Sequence, residues 1–236
     1  MYGWRGRIGL ILPNVNTVME PEFNKVLPEG ISCHTTRTPV YGKFDLPTLI
    51  AMADGVERAA KELSAVADVI CYGCTSGSFA KGPGWDQELT ERIQNFSGIP
   101  ATTTSSALVN ALKAIEAERI SLVTPYTQEV TLQQKEFLEN LGFKVENFEY
   151  LNVTEHGGQG VYYPSTAYRL ASHAFNKKTE AMVISCTGFR TFEIIKALED
   201  DLRIPVITSN QASLWQMFRI LKLDIEIKDL GKLFTL

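Results

Sequence analysis

Long apolar runs are missing from this chain: none approaches the ~18–20 residues that a membrane-spanning helix needs. Basic runs are missing as well. Lysine and arginine number 23 against 27 acidic residues, a net charge of −4, which argues against bulk nucleic-acid binding. Neither G-x-G-x-x-G nor a P-loop occurs, so a nucleotide cofactor has no support and cofactor-free chemistry is expected. Histidine is scarce, with only His34, His156 and His173, far apart and offering no serine triad. Four cysteines in 236 residues do not make a disulfide framework, and a reducing cytoplasm is the expected compartment. The opening Met1-Tyr2-Gly3-Trp4-Arg5 lacks the basic-then-apolar order of a signal peptide. What remains is ordinary for a soluble globular protein, 44% apolar and 21% charged, with enough chain for two lobes or one large α/β domain.

What is present repeats. Ala67-Asp68-Val69-Ile70-Cys71-Tyr72-Gly73-Cys74-Thr75-Ser76 is matched by Ala181-Met182-Val183-Ile184-Ser185-Cys186-Thr187-Gly188, with the second cysteine 112 residues after Cys74. The same offset relates Arg7-Ile8-Gly9-Leu10-Ile11-Leu12-Pro13-Asn14 to Arg119-Ile120-Ser121-Leu122-Val123-Thr124-Pro125-Tyr126. Gly98-Ile99-Pro100 and Arg203-Ile204-Pro205 recur seven residues out of step. The chain therefore reads as two copies of one unit, each placing a thiol at the carboxyl end of a strand.

Strands are expected at residues 7–12, 31–36, 67–73 and 99–103, and again at 119–124, 144–150, 181–186 and 204–208. Several are apolar throughout rather than alternating, as strands buried on both faces should be. Helical periodicity marks residues 47–64, 127–141 and about 210–222. Alternating β and α units imply parallel sheets with right-handed crossovers. The fold class is α/β: two pseudo-symmetric Rossmann-like lobes, each with a four-stranded parallel sheet and with the site between them. The lobes are expected at 1–110 and 111–209, and the segment at about 210–236 is a candidate to return to the first.

Ligands of parallel sheets bind beyond the carboxyl ends of the strands. Here those ends are Pro13–Thr17, Cys74–Ser78, Pro125–Thr127 and Cys186–Gly188. Both cysteine segments are expected to precede helices, whose N-termini lower a thiol's pKa and whose free N–H groups cradle carboxylates. A single buried cysteine is ordinarily a small hydrophobe; two at equivalent strand ends, each followed by threonine, are hard to attribute to packing. Cys71 and Cys74 also form a C-x-x-C, but Cys71 falls inside a strand and no second ligand pair completes a zinc site, so no metal is expected. Cys33 lies in a strand and belongs to the core. Asp86 and Glu88 begin a helix and suit its dipole.

In order and spacing, these segments resemble the aspartate/glutamate racemase superfamily, in the branch of maleate cis–trans isomerases and arylmalonate decarboxylases. The segments are Ile8–Pro13 with Asn16-Thr17-Val18-Met19-Glu20, then Gly73–Phe79, Thr124-Pro125-Tyr126 and Ser185–Thr191. The resemblance implies no cofactor, a small carboxylate substrate, neither nucleic-acid nor membrane partner, and a homodimer or higher homo-oligomer. It implies that Cys74 adds to an alkene carbon of maleate and that Cys186 is the acid/base partner on the opposite face. Asn16 and Tyr126 match substrate-contacting positions; Thr75, Ser76, Thr187 and Gly188 match carboxylate-cradling ones. The decarboxylases carry glycine where this chain has Cys74, which favours isomerisation.

The chain departs from the isomerase pattern twice. Residues 155–163 hold no asparagine, leaving His156 and Gln159 as the polar candidates there, and Gly188 stands where asparagine is common. The glycines of that segment suggest a lid. Arg190 is expected to pair with Glu193 rather than enter the site, and Asn14 to shape the turn after Pro13. Three other readings compete with a maleate isomerase: an amino-acid or hydantoin racemase, an arylmalonate-type decarboxylase, and a non-catalytic binding protein for a small ligand.

Overall fold

The computed structural model describes residues 2–236; Met1, where the N-terminal reading begins, lies outside them. The first half runs β1 (Gly6–Pro13), α1 (Met19–Val26), β2 (Ile31–Thr38), α2 (Leu46–Ala51), α3 (Val56–Leu63), β3 (Val69–Tyr72), α4 (Thr75–Phe79), α5 (Trp85–Ser97), β4 (Ala101–Thr103) and α6 (Thr104–Ala114). The second runs β5 (Arg119–Thr124), α7 (Gln128–Asn140), β6 (Lys144–Tyr150), α8 (Pro164–Ala174), β7 (Ala181–Ile184), α9 (Ile195–Leu202), β8 (Val206–Thr208) and α10 (Ser209–Ile220).

Two four-stranded sheets result, in the orders β2-β1-β3-β4 and β6-β5-β7-β8. Every pairing is parallel. Helices cover both faces, so Ile8, Leu10, Ile11 and Leu12 of β1 are all fully buried, as are Ile120, Leu122 and Val123 of β5. That double burial is why the strands read as apolar runs. In each half the chain leaves the first strand toward one neighbour and returns on its other side. The β1/β3 and β5/β7 junctions are therefore switch points, where a crevice opens beyond the strand ends.

The repeat extends to local devices. The Arg7 guanidinium pairs with Asp68 at 2.6 Å and Arg119 with Glu180 at 2.6 Å, at the amino ends of equivalent strands. Gly98 and Arg203 end α5 and α9 in the same left-handed turn, with φ of 73° and 59°. α10 packs along α6 and also meets β3, β4 and β8, so the last long helix of the second half lies against the first sheet. Among the described residues no helix is long and apolar enough to cross a membrane.

Several boundaries differ from expectation; β2 runs on to Thr38, and β4 and β8 begin two residues late, at Ala101 and Val206. The helix expected over 47–64 breaks into α2, a tight 3-10 turn at Met52–Gly55, and α3. The break ends at Gly55, a poor helix former, where the backbone passes so close to β2 that a Cβ would lie 3.2 Å from the Thr38 methyl carbon. Leu49, Met52, Ala53 and Val56 nonetheless share one buried face across it. β3 and β7 stop at Tyr72 and Ile184. Beyond them Gly73 N–H still bonds Ile11 O (2.9 Å) and Ser185 N–H bonds Val123 O (2.8 Å), and then both segments turn out of the ladder. Leu122→Ala, cutting into a fully buried strand, is expected to cost about 2–5 kcal/mol of stability, read from urea unfolding.

Candidate active site

The carboxyl ends of β1, β3, β5 and β7 converge on one cavity, with about 470 Å³ of free space including its mouth. All eight residues singled out from the sequence line it: Asn16, Cys74, Thr75, Ser76, Tyr126, Cys186, Thr187 and Gly188. Both thiols are nearly covered, at 6% and 8% exposure. No Asp, Glu, Lys or Arg lines the cavity among the described residues.

Cys74 is the N-cap of α4, and its Sγ accepts the Gly77 N–H at 3.4 Å and lies 3.8 Å from Ser76 Oγ. Two glycines make this turn feasible. A Cβ on Gly73 would come within 2.4 Å of Leu12 and 2.7 Å of the Met19 sulfur; one on Gly77 would come within 2.7 Å of Met52 and 3.1 Å of Cys74 Sγ. Cys186 sits differently. Its φ is 152°, a region that side-chain-bearing residues rarely occupy. Its segment precedes a helical one, as expected, but the first helical residues, Phe192–Ile194, come several positions later, so of the two thiols only Cys74 lies at a helix N-terminus. Cys186 Sγ accepts the Gly188 N–H at 3.3 Å.

The expectation that local dipoles would lower the thiol pKa values is also corrected. Burial pushes Cys74 up to about 11, against the pull of the Gly77 N–H and the Ser76 hydroxyl. Burial likewise pushes Cys186 up to about 12, opposed by the Gly188 N–H and Tyr126. Removing a thiolate from water outweighs one or two hydrogen bonds at this depth.

Asn16 bridges the halves. Its Oδ1 accepts the Val18 and Met19 N–H groups, and its Nδ2 donates to Thr187 Oγ1, each at 3.0 Å. Thr187 Oγ1 donates onward to Gly73 O at 3.0 Å. The Tyr126 phenol lies among Cys186, Cys74 and Thr75, near enough to favour the Cys186 thiolate, but no atom meets hydrogen-bond geometry with it in the empty site, which leaves it free for a ligand. Phe44 stacks on Tyr126, with ring centroids 5.5 Å apart, and His156 donates from Nε2 to Lys43 O at 2.7 Å. The loop after β2 is thus tied across the cleft.

Sequence reasoning did not find the apolar wall of Val40, Phe44, Leu49 and Met52. Its one local signal is the Asp45 cap before Leu46-Pro47, whose Oδ1 accepts the Thr48 N–H at 3.1 Å. His156 and Gln159 both reach the cavity. Gln159 packs beside Gly188, its Cβ 3.6 Å from the place a Gly188 Cβ would take. Arg190 pairs with Glu193 at 3.4 Å and Asn14 accepts the Val40 N–H; neither lines the cavity.

The family model described as arylmalonate decarboxylase matches residues 8–234. The chain is 28% identical to a maleate isomerase of Nocardia farcinica over 96% of this chain and 94% of that protein. It is 27% identical to an arylmalonate decarboxylase of Bordetella bronchiseptica over 72% of this chain and 70% of that one. Among solved structures, the maleate isomerase Iso of Pseudomonas putida S16 superposes with a TM-score of 0.91 at 26% identity, covering 97% of this chain and 98% of that one.

Because burial raises both thiols, each is neutral at pH 7 in the empty protein. Iodoacetamide labelling of Cys74 and Cys186, followed by mass spectrometry, should rise about tenfold per pH unit above 7 with no plateau below pH ~10. Cys33 and Cys71 are raised to about 12 as well. All four thiols ionise more readily unfolded, so stability should fall as pH rises past the unfolded thiol value of about 8.5, measured as denaturation midpoints from pH 7 to 10.

Proposed function

The chain belongs to the arylmalonate decarboxylase family, and on that premise we propose a cofactor-independent cis–trans isomerase that converts maleate to fumarate. The observation that carries this reading is two thiols, from equivalent strand ends of opposite halves, in one enclosed cavity. A planar alkene between them presents one face to each. The relatives named maleate isomerase support the substrate, and Cys74, standing where the decarboxylases have glycine, supports the choice of branch.

The chemistry follows from the placement. Cys74, neutral in the empty site, passes its proton to a substrate carboxylate oxygen, from which it returns at the end, as its sulfur forms a C–S bond to one alkene carbon and the π electrons move onto the neighbouring carbon and its carboxylate as an enediolate. The former double bond is then single and turns. When the enediolate collapses, C=C reforms, the C–S bond breaks and the thiolate departs, leaving the trans isomer. Cys186, held neutral by burial, donates a proton toward the carbanionic carbon from the other face and recovers it before collapse.

With no acidic or basic side chain of the Asp, Glu, Lys or Arg kind in the lining, the carboxylates are held by neutral donors: Tyr126, Asn16, the backbone N–H groups of Thr75, Ser76 and Thr187, and the hydroxyls of Thr75 and Ser76. Gln159 joins them, since its side chain reaches the cavity. It lies beside the space that Gly188 leaves open and so supplies an amide close to where the isomerase pattern has one. The absence of any acidic residue in the lining disfavours an amino-acid substrate, whose ammonium would need a partner. A homo-oligomer, as the resemblance implies, belongs to the same proposal.

Proton NMR of the protein with maleate tests it. Wild type should produce the fumarate signal, and Cys74→Ala and Cys186→Ala should lower the rate by about 10²–10⁴-fold. Gln159→Ala should raise KM about tenfold while changing kcat less. Absence of fumarate from the wild-type protein overturns maleate as the substrate.

A further inference from the structure

The two halves hold their strand-end loops from behind in nearly the same way. β4 and β8 each pass straight into a helix, and the junction threonines, Thr103 and Thr208, cap it by accepting the N–H of Ser106 and of Gln211. In the first half the next two residues reach back to the Cys74 loop. Thr104 Oγ1 donates to the Tyr72 carbonyl and Ser105 Oγ to the Thr75 carbonyl, each at 3.2 Å. In the second half Asn210 plays the part of Ser105, its Nδ2 donating to the Thr187 carbonyl at 3.2 Å.

Ser209 departs from the pattern. Its Oγ accepts the Cys186 N–H at 2.9 Å instead of donating to a strand carbonyl, and it lies 2.9 Å from Thr75 Oγ1. The departure coincides with the site's one unusual backbone: Cys186 has a φ of 152°, whereas Cys74 has an ordinary −142°. Such a conformation persists only where its surroundings over-determine it. Ser209 provides that restraint on the N–H side. Asn210 provides it one peptide on, and is itself fixed by Glu22 of α1, whose carboxylate accepts its Nδ2–H at 2.6 Å and the N–H groups of Thr191 and Phe192 at 2.7 and 3.0 Å.

We propose that Ser209 and Asn210 are positioning residues for Cys186: they hold the Cys186-Thr187 backbone in the strained turn that aims the second thiol into the cavity, and Ser209, through Thr75, sets that thiol against the first. Neither lines the cavity, so both act through Cys186. The catalytic consequence rests on the two-thiol isomerase reading; the placement of the thiol does not.

The test compares wild type with Ser209→Ala, Asn210→Ala, Ser209→Thr and Ser121→Ala. Threonine keeps the hydroxyl and already stands at the equivalent position 104. Ser121 is a control: a fully buried hydroxyl, hydrogen-bonded to Ala174 O at 2.9 Å and to Thr179 Oγ1 at 2.7 Å, away from the cavity. Labelling of Cys186 relative to Cys74 should fall roughly tenfold in the two positioning variants as the thiol swings off the Gly188 N–H. Their kcat on maleate should fall by at least about tenfold with KM within about twofold. Ser209→Thr should restore both readouts, and Ser121→Ala should lose stability alone. A wild-type labelling ratio in folded Ser209→Ala, or in Asn210→Ala should the first fail to fold, overturns the proposal. If wild type does not isomerise maleate, the isomerase reading fails while the labelling ratio still decides the positioning role.

Discussion

One threonine hydroxyl sets the geometry on which the rest depends. Thr187 Oγ1 accepts from Asn16 of the first half and donates to the carbonyl of Gly73. Thr187 follows one thiol and Gly73 precedes the other, so this pair of hydrogen bonds fixes the spacing between Cys74 and Cys186. It is buried, it uses both the donor and an acceptor site of the hydroxyl, and it joins residues far apart in the chain. The crevice at each switch point exists because of the strand order; the two crevices become one cavity because this contact holds them face to face.

The cavity so formed is uncharged and mostly apolar, and that has two opposed effects. Burial suppresses both thiolates, which keeps a proton on whichever thiol must supply one. The same burial removes water that would compete for the substrate carboxylates and strengthens each neutral donor. In the proposed reaction, binding an anion without a cation leaves the developing enediolate as the place where fixed N–H and O–H donors contribute most. The unpartnered Tyr126 phenol, costly in an empty site, fits that arrangement.

Symmetry of the fold does not extend to the thiols. Cys74 rests at a helix N-cap in a relaxed backbone, made possible by the close approach at Gly73 and Gly77. Cys186 is held in a strained turn with Gly188 beside it. Likewise Tyr126 enters the cavity while Asn14, its counterpart in the repeat, accepts the Val40 N–H and shapes a loop. Two copies of one unit thus hold their thiols in different settings, which suits the proposed reaction, with a nucleophile on one face and an acid on the other.

Much of this was legible in the sequence. The repeat at a fixed offset, the apolar runs and the cysteines at strand ends dictate two parallel sheets, because strands buried on both faces can be built only from such runs. Since the switch-point strand ends of parallel sheets open onto a crevice, the presence of the eight candidate residues in one cavity lining also followed from position and family pattern. Three things did not: the apolar wall, the packing of Gln159 beside Gly188, and the direction of the thiol pKa shifts. The wall and that packing depend on loops whose path is set by cross-cleft contacts, such as His156 with Lys43 and Phe44 with Tyr126, between residues remote in sequence. The pKa direction depends on depth. A helix N-terminus is a local feature that sequence announces, but desolvation is a sum over everything packed around the sulfur, and only the tertiary structure decides that sum.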